Sequence, residues 1–154
     1  MGSPTDEVAL RLTGAGAPIL AQLAPALAGV RLSLHVVAAS VWVGGQLTLA
    51  GLVPTARRLG EAAPRQLARA FARLSWPAYG VLLATGIWNV RVVGPGQGTA
   101  WQAVVAVKIA VALLAGVAAF CHGRSRSRTG LAVWGAIAAL SSVGALVLGV
   151  LLAG

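Results

Sequence analysis

Four long apolar stretches occupy most of this chain and restrict what it can fold into. They run over residues 30–53, 74–93, 101–121 and 131–152. Each is about 20 residues long or slightly more, the length that an α-helix needs to cross the roughly 30 Å hydrocarbon core of a bilayer. Charged residues make up only 10% of the chain, whereas soluble domains carry about a quarter. The sequence therefore predicts an all-α integral membrane protein, a four-helix bundle forming a single domain over residues 1–154.

The arginines lie between these stretches with a regular asymmetry. The first connection is basic and holds a single acid, Glu61, whereas the second, residues 94–100, has no charge and the third is basic again. Because Lys and Arg concentrate in cytoplasmic loops, we expect both basic loops in the cytoplasm and both termini outside. The expected location is the plasma (inner) membrane of a bacterium. The arginines concerned are Arg57, Arg58, Arg65, Arg69, Arg73, Arg124, Arg126 and Arg128.

The formal net charge of +9 flanks apolar spans instead of covering a polar face. We therefore expect anionic lipids of the inner leaflet as the partner of these charges, and no binding of nucleic acid. In the first loop, Arg65, Arg69 and Arg73 recur at helical spacing, which favours a short basic helix on the membrane surface. Residues 1–29 lack the positively charged start of a secretory signal. We expect them to be retained as an outer N-terminal segment.

Catalytic signatures are missing from the sequence. The single cysteine, Cys121, excludes an internal disulfide and a multi-cysteine metal site. No Asp or Glu lies inside an apolar stretch, so neither a carboxylate proton relay nor a carboxylate-bridged metal centre is expected. There is also no nucleotide-binding glycine loop and no Ser/His/Asp set. No catalytic residue is predicted, and a function other than that of an enzyme is favoured.

Basic side chains inside the apolar stretches are costly unless they are paired or hydrated. With the topology above, His35 lies about 8 Å below the outer face and Lys108 about 10 Å below it, at 1.5 Å per residue. Arg31 and Arg91 lie near the outer ends of the first and second spans. The pattern predicts a ligand site beneath the outer face, centred on His35 and Lys108. Snorkelling to the headgroups is the alternative for the arginines and Lys108, and a structural hydrogen bond is the alternative for His35.

The helical face that carries His35 consists mainly of small residues. Such residues allow helices to approach closely or leave room for a flat ligand. His122, by contrast, abuts Cys121 at the other end of its span and is too far away to share one small cofactor with His35. The residues on the His35 face, at offsets typical of a helix, are Ala38, Ala39, Trp42, Gly45 and Gln46.

The first span reads His-Val-Val-Ala-Ala-Ser-Val-Trp-Val-Gly-Gly over residues 35–45. This run resembles the histidine helix of the CopD family, which has the form H-x-x-A-A-x-x-W-x-G-G. Residues 71–75 with Thr85 and Gly86, and the lone lysine of the third span, resemble the second and third helices of that family. The resemblance implies a role in copper uptake or resistance, with His35, Trp42 and Lys108 at the functional positions and His35 as the metal ligand.

The same helix is also similar to HemJ-type proteins and, more loosely, to four-helix b-type cytochromes. That resemblance implies haem b as the cofactor, with His35 as an axial ligand and Trp42 beside the ring. Arg31, Arg91 or Lys108 would then neutralise the propionates. A third hypothesis is an accessory subunit, because a chain with many small residues packs readily into a larger membrane complex or a homo-oligomer.

Overall fold

The computed structural model describes residues 23–153, and this part of the chain folds into helices without a strand. Helix α1 covers Leu23–Leu59, α2 Ala63–Val93, α3 Thr99–Arg124 and α4 Arg128–Ala153. The predicted all-α class is confirmed for these residues. Most of the predicted outer segment lies outside them. Residues 23–29 are helical and continuous with the first span.

Three helices, α1, α3 and α4, are long and apolar enough to cross a membrane. The apolar stretch in α2 also holds Pro77, Asn89 and Arg91, which lower its mean hydropathy, and α2 is not among the three. The membrane character of the chain is therefore supported by three helices in the described part. The crossing of α2 stays a prediction.

The helices extend well beyond the apolar stretches at the end that carries the arginines. α1 continues through Pro54 to Leu59, and α2 begins at Ala63, so that only residues 60–62 connect them. The basic helix predicted around Arg69 is therefore the first part of α2. Pro77 lies inside α2, well after the helix begins.

The largest interface between helices lies between α3 and α4. It is built from small side chains, since Ala115 and Ala118 of α3 and Ala138 of α4 are buried. A Cβ on Gly144 would lie 3.6 Å from Cγ1 of Val111, an ordinary contact distance. Small residues let membrane helices approach closely, which is consistent with the size of this interface.

A π-helical turn, Ser40–Gly44, interrupts α1 and packs against both α2 and α4. Such turns insert a residue and commonly mark functional regions. Trp42 in this turn is buried, and its ring centroid lies 5.7 Å from that of Trp76 and 4.4 Å from that of Tyr79. Its indole Nε1 donates a hydrogen bond of 3.0 Å to Oγ of Ser142. Trp42 thereby joins α1, α2 and α4.

Tyr79 of α2 lies across a glycine of α3. Its hydroxyl donates a 3.0 Å hydrogen bond to the carbonyl of Ala112, and a Cβ on Gly116 would overlap the phenol ring. We expect Gly116→Ala to lower the free energy of unfolding by about 1–3 kcal/mol through overpacking. Thermal unfolding in detergent measures this loss of stability.

The matched control is Gly80→Ala on α2, where a Cβ would meet nothing within 4 Å. Alanine favours the helix more than glycine does, so this variant should be at least as stable as the parent chain. Equal stability of the two variants would contradict the close contact between Tyr79 and Gly116.

Candidate functional site

The five residues predicted for the site differ in their surroundings. His35 and Lys108 are half-buried, while Arg91 is exposed. Arg31 is only 8% exposed and Trp42 3%. His35 and Lys108 are the centre of the candidate site, and Arg31 lies one helical turn before His35 on α1.

The imidazole of His35 is held by a threonine of the neighbouring helix. Its Nδ1 lies 2.8 Å from Oγ1 of Thr85. The Thr85 hydroxyl lies 2.7 Å from the carbonyl of Val81 and 3.2 Å from that of Leu82. A hydroxyl has one hydrogen, and here it is donated to the helix's own backbone. Thr85 must therefore accept the Nδ1–H of His35, which leaves Nε2 with its lone pair in the neutral imidazole.

This arrangement is the one that a metal-ligating histidine requires. Such histidines donate one ring N–H to a neighbouring acceptor, which determines the tautomer and the ring orientation. The imidazole also has a hydrogen bond with the backbone of Leu82, and within residues 23–153 no side chain bonds to Nε2. The ring packs over α2 at Gly86, where a Cβ would lie 3.7 Å from Cε1. A structural role alone would explain the Nδ1 bond, but it leaves the Nε2 lone pair unused.

Lys108 turns towards a second glycine. A Cβ built on Gly149 of α4 would lie 3.0 Å from Nζ of Lys108 and 3.5 Å from its Cε. The side chain therefore crosses the interface between α3 and α4. It also lies close enough to His35 for its charge to act on the imidazole. Lys108 of α3 and His35 of α1 thus lie within electrostatic range of each other, and no hydrogen bond joins them in the described residues.

Arg31 adds a second cation to the same region. It lies four residues before His35 and hence on the same face of α1. Its Nε is buried and has no hydrogen-bond partner among residues 23–153, which is costly for a charged donor. In the part of the chain that the structure describes, Glu61 is the one acid, and it lies in the α1–α2 connection. The site therefore offers one imidazole lone pair and an excess of positive charge, which favours a ligand with anionic groups.

Trp42 and Arg91 do not join this group. The indole N–H of Trp42 is taken by Ser142, and Arg91 is exposed near the end of α2. His122 is also separate: its Nδ1 donates to the carbonyl of Leu131 at 2.9 Å. Between residues 23 and 153, no group of three or more His, Cys, Asp or Glu side chains is arranged to hold a metal ion.

Two contributors to the site are absent from the sequence prediction. Thr85 enters the sequence analysis only through the resemblance of the second helix, yet it is the partner of His35. Gly149 was not associated with Lys108, although its missing side chain makes room for the ammonium group. The hydroxyl at Thr85, deep in an apolar stretch, is the one signal that the sequence offers. Nothing in a lone glycine indicates which side chain will lie on it.

No family model, curated protein or solved structure matches this chain. The resemblance of the first span to the CopD family therefore stays a prediction, and the site's own geometry carries the functional argument.

The Thr85 hydrogen bond leads to a prediction about the tautomer of His35. In Thr85→Val the acceptor is replaced by a methyl group of similar shape, so Nδ1–H loses its partner, while Thr85→Ser keeps it. We expect the Nδ1–H form to lose its dominance in the valine variant, measured by nitrogen NMR of ¹⁵N-histidine. The affinity of any ligand held at Nε2 should fall about 10–100-fold. An unchanged tautomer in Thr85→Val would show that Thr85 does not orient the ring.

Proposed function

We propose that this chain is a membrane bundle of four spanning helices in a bacterial inner membrane, with both termini outside. Three helices have the necessary length and composition, and α2 packs beside α1. The two basic connections lie at one end of the molecule, because Arg65 and residues 123–126 line a common pocket. Their shared position agrees with a cytoplasmic side on which anionic lipids are the partners of the arginines.

We propose further that the protein handles copper and that His35 is its ligand. The observation that carries this proposal is the Nε2 lone pair, which the hydrogen bond to Thr85 leaves available. Imidazole nitrogen is a suitable ligand for copper, and the motif over residues 35–45 points to the same metal. Copper is here the ion that is transported, and a weak site with few ligands suits an ion that must be released again.

The site of a single chain provides one imidazole for copper and no cluster of further ligands within residues 23–153. The positive charges of Lys108 and Arg31 also disfavour a bare cation. Copper would therefore arrive with anionic ligands, or meet additional ligands from a larger complex or a second copy of the chain. In that setting the protein acts as an accessory subunit that contributes His35.

Haem b is the second candidate ligand, and the buried guanidinium of Arg31 favours it. The donor set fits an axial position, since Nε2 of His35 would bind the iron and Thr85 would orient the ring. Arg31, with its unpartnered Nε, and Lys108 would neutralise propionates. A bound haem would supply one-electron redox chemistry.

The two histidines of the chain provide a matched test. We expect purified protein to retain copper on metal analysis and His35→Ala to lose it. His122→Ala should retain it, because His122 lies 14 residues along α3 from Lys108, about 21 Å at 1.5 Å per residue, and is therefore far from the proposed site. Both variants remove one imidazole, so a difference between them assigns the ligand to His35.

An absorption spectrum separates the candidates. A Soret band that disappears in His35→Ala would support haem and displace copper. Loss of copper in both variants alike would contradict a site at His35. If neither copper nor haem binds and the chain always co-purifies with larger membrane proteins, the chain is an accessory subunit that binds no metal.

The crossing of α2 can be tested with single cysteines in a Cys121→Ser background. Glu61 and Gln97 are exposed at opposite ends of α2. We expect Gln97→Cys to react with an impermeant maleimide in intact spheroplasts, and Glu61→Cys to react only after permeabilisation. If both cysteines react on the same side, α2 does not cross and only three helices span the membrane.

A further inference from the structure

A second cluster of positive charge lies far from His35. On α3, Arg124 follows Lys108 by 16 residues, which is about 24 Å along the helix at 1.5 Å per residue. Arg65 of α2 and Arg124 and Arg126 of the third connection line an open pocket of about 560 Å³. Residues distant in sequence thus bring guanidinium groups to one place. We call it the arginine pocket.

Among residues 23–153, no acid lines the arginine pocket to balance its charge. Its lining consists of the arginines named above with Gly123 and Ser125, and Glu61 is not part of it. Ser125 donates its hydroxyl hydrogen to the carbonyl of Cys121 at 2.9 Å. The hydrogen-bond donors free to meet a ligand are therefore the guanidinium groups. Like charges gathered in this way repel one another unless an anion lies between them.

The pocket also has features that suit a compact anion. A Cβ on Gly123 would meet nothing within 4 Å, so the backbone there leaves open space. The guanidinium of Arg124 lies 4.8 Å from the centre of the Phe120 ring, a cation–π contact that orients it. Guanidinium groups present planar pairs of donors that match the oxygens of a phosphate.

We propose that the arginine pocket binds a phosphate group, held by Arg65 of α2, Arg124 at the end of α3 and Arg126 of the α3–α4 connection. This site is distinct from the general attraction of basic loops to anionic lipid. It requires guanidinium groups from two separate segments, and its occupant ties α2 to that connection. A phospholipid headgroup and inorganic phosphate share this chemistry.

The test uses the full chain in phosphatidylcholine nanodiscs, with inorganic phosphate titrated and binding followed by ³¹P NMR. We expect Arg65→Gln/Arg126→Gln to weaken phosphate binding about tenfold or more, because each lost pair of charge-assisted hydrogen bonds is substantial. Arg57→Gln/Arg58→Gln removes the same charge from exposed positions outside the pocket. This control should change the affinity by about twofold at most. All four arginines are exposed, and unchanged helical circular dichroism verifies the fold.

A second arm identifies the source of the phosphate. If nanodiscs that contain phosphatidylglycerol suppress the binding of inorganic phosphate, and the Arg65/Arg126 variant abolishes that competition, the site takes a lipid headgroup. If inorganic phosphate binds equally in both kinds of nanodisc, the site takes soluble phosphate. Equal losses in the two double variants, or no binding by the parent chain in either nanodisc, would overturn the proposal.

Discussion

The hydrogen bond between His35 and Thr85 is the interaction on which the functional site depends. Polar groups in an apolar environment must find partners, because unpaired ones are costly. Thr85 meets this requirement in two directions, since it donates to its own helix and accepts from the imidazole of α1. One ring nitrogen of His35 is thereby occupied and the other is left with a lone pair. The contact between α1 and α2 and the chemistry of the site follow from the same bond.

The packing around Trp42 also stabilises the contact between α1 and α2. The π-helical turn places Trp42 against Trp76 and Tyr79, and its indole N–H bonds to Ser142 of α4. Three helices therefore meet at one side chain. Glycines serve the same purpose elsewhere, where they admit the ring of Tyr79 onto Gly116 and the ammonium of Lys108 onto Gly149. Large side chains fit because small ones lie opposite them. This packing determines the positions of the polar groups.

Positive charge is concentrated in two regions with different surroundings. Around His35 it is buried, with Arg31 lacking a partner for its Nε, and such burial favours a ligand that carries anionic groups. At the arginine pocket the charge is exposed and open to the outside of the protein. A shortage of acids is common to both, since Glu61 is the one carboxylate between residues 23 and 153. This excess of positive charge is the basis of both binding proposals.

Much of this organisation could be predicted from the sequence, because hydropathy and charge act along the chain. Apolar length predicts the helices, and the spacing of His35, Lys108 and the arginines along them predicts their depth. The partners of those groups could not be predicted, since a partner depends on how each helix rotates against its neighbours. The π-helical turn alters that rotation within α1, and the glycines opposite Tyr79 and Lys108 act only once helices are in contact. The sequence by itself determined an apolar helical chain with a few costly cations. Tertiary packing alone decided that His35 meets Thr85, that Lys108 lies on Gly149 and that Trp42 becomes a packing residue, because those choices depend on contacts between helices.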